Sequence, residues 1–447
     1  RKMIRIIADL QLAKKTVLSR PADEPDYPAD LLGAVERIFG KPLSPPAAVA
    51  RVLADVRARG DLALHEWSQR IDDSAPDPLA LPDSELAAAA TEIPADLAEA
   101  LQLAAERIRA FHALQPVRSW ETSELGGVIK QRMIPLRRVG VYVPGGTAPL
   151  PSSLLMGAIP AQVAGVNEIV VCTPPGREGA PLPAVLRAAA HMLGIEKIFQ
   201  LGGAQAVAAM AYGTDTVPRV NKIVGPGNLF VTLAKKQVFG EVGIDGLAGP
   251  TETVIVADDS ANSDWVAADL LAQAEHDVLA TAILLTPSPT LAQAVQAAVG
   301  RQMENLSRIE ILTRSLPSRG GIVLTPDLET AVDLADRFAP EHLCLAVAQP
   351  ERWAEQVRNA GCLFVGESSF EVLGDYVAGP NHILPTGGTA RFASPLNVLD
   401  FVRIMSVVQL DDETIAQMSP AAALLASAEQ LDGHAAAATQ RIEGMGL

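Results

Sequence analysis

Glu168-Ile-Val-Val-Cys-Thr173 runs into Pro174-Pro175-Gly176, and Lys197-Ile-Phe-Gln-Leu201 runs into Gly202-Gly203. Each is a short run of β-branched and aromatic residues, closed by residues that turn the chain. Leu182 to Leu193 lies between them with helical composition, and Ala204 to Tyr212 follows as a second helix. Lys222-Ile-Val224, Gly225-Pro226-Gly227 and a helix over Asn228 to Phe239 then repeat the unit. Strands separated by a helix cannot pair as tight hairpins, so this rhythm predicts βαβ units and a parallel sheet in an α/β fold. It resumes with Thr253-Val-Ile-Val-Ala257, a helix from Asp264 to His276 with Ser263 as its cap, Thr281-Ala-Ile-Leu-Leu285, and onward to Phe364-Val365. Upstream of residue 125 the pattern is helical instead, as in Ala47 to Ala58 and Pro94 to Gln115. The tail carries alanine-rich helical stretches around Ala421 to Gln440, too poor in large apolar residues to form a core alone.

A chain of 447 residues that is 49% hydrophobic exceeds one compact core, so two or three domains are expected. Its net charge of -16 repels phosphate backbones and anionic lipid, which argues against nucleic-acid and membrane partners. Three cysteines, Cys172, Cys344 and Cys362, sit in apolar settings without CxxC spacing and read as buried residues of a reducing compartment. The opening Arg1-Lys2-Met3-Ile4-Arg5 puts charges where a signal-peptide core would stand, and Met3 reads as a natural start. A cytoplasmic protein is expected.

Chemistry concentrates in a few segments. Gln273-Ala-Glu-His276 closes a predicted helix with an amide and an imidazole on one face. Both are reasonable zinc ligands, and equally a histidine at a helix end complements the dipole there. Phe338-Ala-Pro-Glu341-His342 stands where a helix gives way to a strand. Its Glu-His pair suits general-base work, or forms a solvated turn. Gly374-Asp375-Tyr376 through Asn381-His382 and Pro385 is a turn-rich loop holding ionisable groups, which linkers lack. Glu429 and His434 in the tail say little by themselves. Glycine turns at 143–146, 202–203 and 225–227 expose backbone N–H groups at helix starts, yet none completes a GxGxxG fingerprint.

Taken together, Val139-Gly-Val-Tyr142-Val-Pro-Gly-Gly146, Gly225-Pro-Gly-Asn228, Ala248-Gly-Pro-Thr-Glu252, Gln273-Ala-Glu-His276, Phe338-Ala-Pro-Glu-His342, Gly374-Asp375-Tyr376 and Asn381-His382-Ile-Leu-Pro385 resemble, in order, the motif set of the histidinol dehydrogenase family. The resemblance covers nearly the whole chain and is thinnest before residue 45. It implies two Rossmann-like parallel-sheet domains with a helical N-terminal region and a C-terminal helical arm. The implied boundaries are 1–30 as an extension, 31–134 with 248–394 as the metal-binding catalytic domain, 135–247 as the NAD-binding domain and 395–447 as a dimerisation arm.

The residue roles the resemblance implies are specific. Gln273, His276, Asp375 and His434 match the ligands of one Zn2+ per subunit, and Glu341 and His342 match an acid–base pair. Tyr142, Gln205 and Asn228 match positions that touch NAD. Substrate contacts match Thr251, His382 and Glu429 together with Gln273, His276, His342, Asp375 and His434. Thr251 stands where many relatives have serine, so the hydroxyl is kept and a methyl added. The implied reaction is the oxidation of L-histidinol through L-histidinal to L-histidine, in a homodimer whose active sites are shared. A zinc hydrolase built from the same ligands leaves the glycine turns without a role and lacks an HExxH helix.

Overall fold

The computed structural model describes residues 4–20, 27–145, 149–176 and 180–444. Arg1-Lys2-Met3 and Gly146 of the first glycine turn lie outside the described residues. Strands are numbered in chain order. Glu168–Thr173 forms β5, flanked by β4 (Arg138–Tyr142) and β6 (Lys197–Gln200). With β7 (Lys222–Val224) and β8 (Gly243–Ile244) they form a parallel sheet in the order β6-β5-β4-β7-β8. A second parallel sheet follows the order β1-β11-β10-β9-β12-β13, with β9 (Glu252–Ala257), β10 (Thr281–Thr286), β11 (Gly321–Leu324), β12 (His342–Ala346) and β13 (Cys362–Val365). Its edge is β1 (Ile6–Ile7), which pairs in register with Ile322 and Val323. Leaving β1 aside, both sheets have one strand order, and the direction of winding reverses between β4 and β7 in one and between β9 and β12 in the other.

All six residues of β9, and all six of β10, are buried. Helices cover both faces of a parallel sheet, so alternation disappears and the strand reads as a continuous apolar run. Thr253-Val-Ile-Val-Ala257 has that character.

Three features depart from the sequence reading. Residues 31–134 are grouped there with 248–394, but the helices Pro45–Arg59, Asp61–Asp72 and Ala95–Ala113 bury Val52, Leu64, Trp67 and Ile108 against the five-stranded sheet and its helices. The supposed extension before residue 30 contributes a sheet strand, too short to show a period of two. The tail is not wholly helical: β14 (Val402–Gln409) pairs antiparallel along all of β3 (Val128–Pro135), and β2 (Trp120–Thr122) completes a third sheet. Beyond β14 stand the helices Asp412–Ala428 and Asp432–Gly444, the second with no buried residue. Among the described residues no helix is long and apolar enough to cross a membrane.

Candidate active site

β9 and β12 are neighbours with His342 opposite Thr253, so Thr251-Glu252 and Glu341-His342 enter the sheet side by side. The helix Leu328–Phe338 stops at Ala339, which turns the chain in a left-handed conformation (φ 51°) before Pro340. Glu341 is buried, and its Oε2 accepts from the Thr251 hydroxyl at 2.6 Å and from the Glu252 backbone N–H at 3.0 Å. The His342 ring, 3% exposed, sits among three carboxylates. Its Nδ1 is 3.9 Å from Glu341 Oε2 and 3.8 Å from Glu371 Oε1, and its Nε2 is 3.5 Å from Asp375 Oδ1. Neither ring nitrogen makes a hydrogen bond of ordinary geometry.

The short helix Glu371–Tyr376 puts Glu371 and Asp375 four residues apart on one face, both turned to His342. Glu371 was not singled out from sequence; that i,i+4 carboxylate spacing is the signal that could have found it. Its Oε2 accepts from the Thr253 hydroxyl, and in the orientation that satisfies both ends of the Gln273 amide, the Gln273 nitrogen donates to Glu371 Oε1 at 2.5 Å. The Gln273 oxygen then faces the Glu252 N–H at 3.1 Å and the Thr251 hydroxyl. His382 Nδ1 lies 2.9 Å from the Asp375 carbonyl, and the buried Asn381 ties this loop to the Met156 carbonyl at 2.7 Å.

The helix carrying Gln273 spans Ser263–Ala274, capped by Asn262 and not Ser263; the Asn262 side chain accepts from the N–H groups of Asp264 and Trp265. His276 falls just past its end in a tight turn, its N–H donating to the Gln273 carbonyl at 3.2 Å. It is therefore placed by a loop, on the exposed side of the cluster, where it feels the charges of Asp375 and His342.

Burial disfavours charge throughout this cluster. It raises Glu341 above the usual carboxylate range and Glu371 to about 7. Burial opposes the charged His342 ring as well, but Glu371, Glu341 and Asp375 outweigh it and push the ring up to about 10. Burial also resists ionisation of Asp375, yet the facing His342 holds it below the ordinary value. Burial keeps His382 low. Ligand atoms of His342, Glu371 and Asp375 lie within 4.8 Å of one another, a buried site with more negative than positive groups. Such a set can hold a cation and can take up or release a proton.

The other expected residues divide into two groups. Tyr142, Gln205 and Asn228 line a mainly apolar cavity of about 410 Å³ at the carboxyl ends of β4 and β7. The Tyr142 hydroxyl accepts from the Gly203 N–H at 3.1 Å, and Asn228 caps the helix Leu229–Val238. Gly225 follows β7 with φ 111°, where a Cβ would meet the Tyr142 carbonyl oxygen at 2.2 Å. Gln205 donates to Asp72 Oδ2 at 3.0 Å, leaving its buried Oε1 without a partner among the described residues. Asp72, the one charged side chain among the described residues lining the cavity, gave no sequence signal because it arrives on a helix distant in the chain. Glu429, just past the helix Asp412–Ala428, and His434 on the last helix stand exposed and do not join the His342 cluster within this chain.

The sequence profile of a family described as histidinol dehydrogenase matches residues 44–442. A histidinol dehydrogenase of Deinococcus radiodurans is 51% identical over 431 residues, 96% of this chain and 98% of that protein. One from Dehalococcoides mccartyi is 50% identical over 401 residues, 90% of this chain and 92% of that protein. The crystal structure of histidinol dehydrogenase from Elizabethkingia anophelis is 32% identical and superposes with a TM-score of 0.89, covering 100% of this chain and 99% of that one. Profile, sequence and fold agree that this chain belongs to the histidinol dehydrogenase family.

Proposed function

We propose that the protein is a zinc-dependent, NAD-linked dehydrogenase of the cytoplasm that oxidises L-histidinol through L-histidinal to L-histidine. The observation that carries this reading is the buried meeting of Glu341 and His342 with Gln273 and Asp375, flanked by His276, in a chain of this family. The donor set suits zinc: one amide oxygen, imidazole nitrogen and carboxylate oxygen, in a cluster whose buried carboxylates exceed its cations. The cavity over β4 and β7 suits a nucleotide, being apolar, close to two helix N-termini, and lined by an orphaned Gln205 oxygen. Gln273, His276 and Asp375 would hold a bound zinc, which would orient histidinol and offset the buried negative charge, while bound NAD would take up the two electrons of each step.

The chain's own groups do the rest. With the carboxylates that hold its ring protonated offset by a bound cation, His342 at the start of β12 would accept the alcohol proton in the first step. Glu341 accepts a proton from the water that adds to the aldehyde in the second. Thr251 and the Glu252 N–H hold the Glu341 carboxylate in place for this. His382, fixed through the Asp375 carbonyl, bounds the substrate pocket.

The tail fits a homodimer with shared sites. Leu424, Leu425 and Met418 are 73%, 67% and 51% exposed on the helix Asp412–Ala428, an apolar surface that a second copy would cover. In that dimer, His434 and Glu429 of each tail complete the site of the other subunit. Incubation with zinc, NAD and histidinol should yield two NADH per histidine formed. No NADH from metal-loaded protein would overturn the reading.

A further inference from the structure

Arg20 follows the helix Leu10–Lys15 and precedes every residue assigned a role above. Its guanidinium forks onto Glu252, with Nε 3.1 Å from Oε1 and Nη2 2.8 Å from Oε2. Nη1 also donates to the Phe338 carbonyl, and Nη2 to the Ala339 carbonyl at 3.4 Å. The guanidinium carbon lies 3.9 Å from the centroid of the Phe338 ring. The space around the group is closely sized: a Cβ on Gly388 would come within 2.8 Å of Nη1.

These partners frame Glu341 from two sides. Glu252 opens β9, and its backbone N–H donates to Glu341 Oε2. Phe338 and Ala339 form the bend from which Glu341 projects, and Ala339 holds a left-handed conformation that alanine seldom keeps without support. The remaining carbonyls of the bend are held at the start of β13, by Gly361 N–H just before it to Pro340 and by Cys362 N–H to Glu341. Arg20 thus supplies what the sheet does not. It satisfies the two carbonyls of the bend and neutralises the buried Glu252 carboxylate beside it.

We propose that Arg20 is a positioning residue for Glu341, a clamp between the start of β9 and the 338–339 bend that keeps the Glu341 carboxylate on Thr251 and the Glu252 N–H. The inference rests on the reading of Glu341 as the group that activates water in the aldehyde step. Lysine cannot replace the clamp, since one ammonium cannot span a carboxylate fork and two carbonyls at once.

The test compares Arg20→Met and Arg20→Lys with the parent protein, each loaded with zinc. NADH is followed from added histidinal, and from histidinol in the first turnover, alongside the thermal midpoint. In Arg20→Met, histidinal oxidation should fall about 100-fold, the scale of a misplaced catalytic group, while the alcohol step falls no more than about 3-fold. Arg20→Lys should show the same skew at smaller size. Equal losses in both steps, or none in either, overturn the clamp, because a merely structural tether does not distinguish the two steps. If Arg20→Met does not fold, Arg20→Lys decides alone by the presence or absence of the skew. A parent protein that makes no NADH from either substrate sinks the activity reading instead, which separates the two failures.

Discussion

With β1 left aside, the two parallel sheets share one strand order, and their candidate sites lie at opposite ends. In the five-stranded sheet the cavity opens at the carboxyl ends of β4 and β7, the usual crevice where winding reverses. In the six-stranded sheet the corresponding end, beyond β9 and β12, is occupied by the chain itself. Asp258 accepts there from the Ala348 N–H at 3.0 Å and from the N–H and hydroxyl of Ser260, consuming donors that a ligand would use. The polar cluster gathers at the amino ends instead. Helices that connect parallel strands start at the carboxyl ends and finish at the amino ends, so the two locations differ in electrostatic sign. The first favours anions, and Asn228 opens a helix there. The second favours cations: the helices Ser263–Ala274 and Leu328–Phe338 end beside His342 and its carboxylates. Under the proposed function, one topology therefore offers one end suited to a nucleotide and another suited to a metal, and the sequence decides which is left open.

The sharpest test of that separation is His342→Asn. Loss of a proton-transfer group should lower the alcohol step by about 10²–10⁴-fold. Glu341→Gln should instead spare much of the alcohol step and slow oxidation of added histidinal. Nucleotide affinity, measured by calorimetry, should stay at the parent level in both. A matching fall in nucleotide affinity would break the division between the two ends.

Metal content should show the same division. Asp375→Ala and His276→Asn are expected to lose zinc by elemental analysis while still binding NAD, because they do not line the cavity proposed for it. Full zinc occupancy in both variants would remove them from the ligand set.

How much of this was readable in the sequence varies with how local the cause is. The runs Glu168 to Thr173 and Thr253 to Ala257 announced their strands because burial on both faces demands unbroken apolar residues. Glu341, His342 and Asp375 stood in recognisable segments, and the fold brings them together. Glu371, Asp72 and Arg20 were not legible, since each matters only through a partner brought close by the fold. The β3–β14 pairing was missed for the same reason: each strand is only partly buried, and neither reveals the other.

Whether the metal end is completed by a second chain is tested by mixing subunits. His276→Asn and His434→Asn proteins, each inactive, should regain activity when unfolded and refolded together. In a mixed dimer with crossed tails one site carries both substitutions and the other neither, so about half of the mixed dimers' sites should work. Proven mixed dimers without activity would mean that each chain builds its own site.

The smallest expected effect concerns the nucleotide end. Asp72 is half-buried in an apolar cavity, where desolvation raises its carboxyl to about 6, moderated by the hydrogen bond from Gln205. In the unfolded chain it returns to the ordinary value near 3.8. The folded protein thus binds this proton more tightly than the unfolded one, so folding costs most above about pH 6 and nothing extra below pH 3.8. Between those limits the contribution to stability rises as pH falls. Asp72→Asn keeps an oxygen that can accept from Gln205 and removes the charge. Without nucleotide it should be more stable than the parent at pH 8, by about 2 kcal/mol once the roughly 3 kcal/mol implied by the shift is reduced for solvent screening of a half-buried group. The advantage should shrink as the pH is lowered to 5, read as the difference in urea midpoints. A constant difference across that range, or a variant less stable at pH 8, would mean that Asp72 is already well solvated or well paired. The apolar, nearly uncharged character assigned to the nucleotide end would then fail with it.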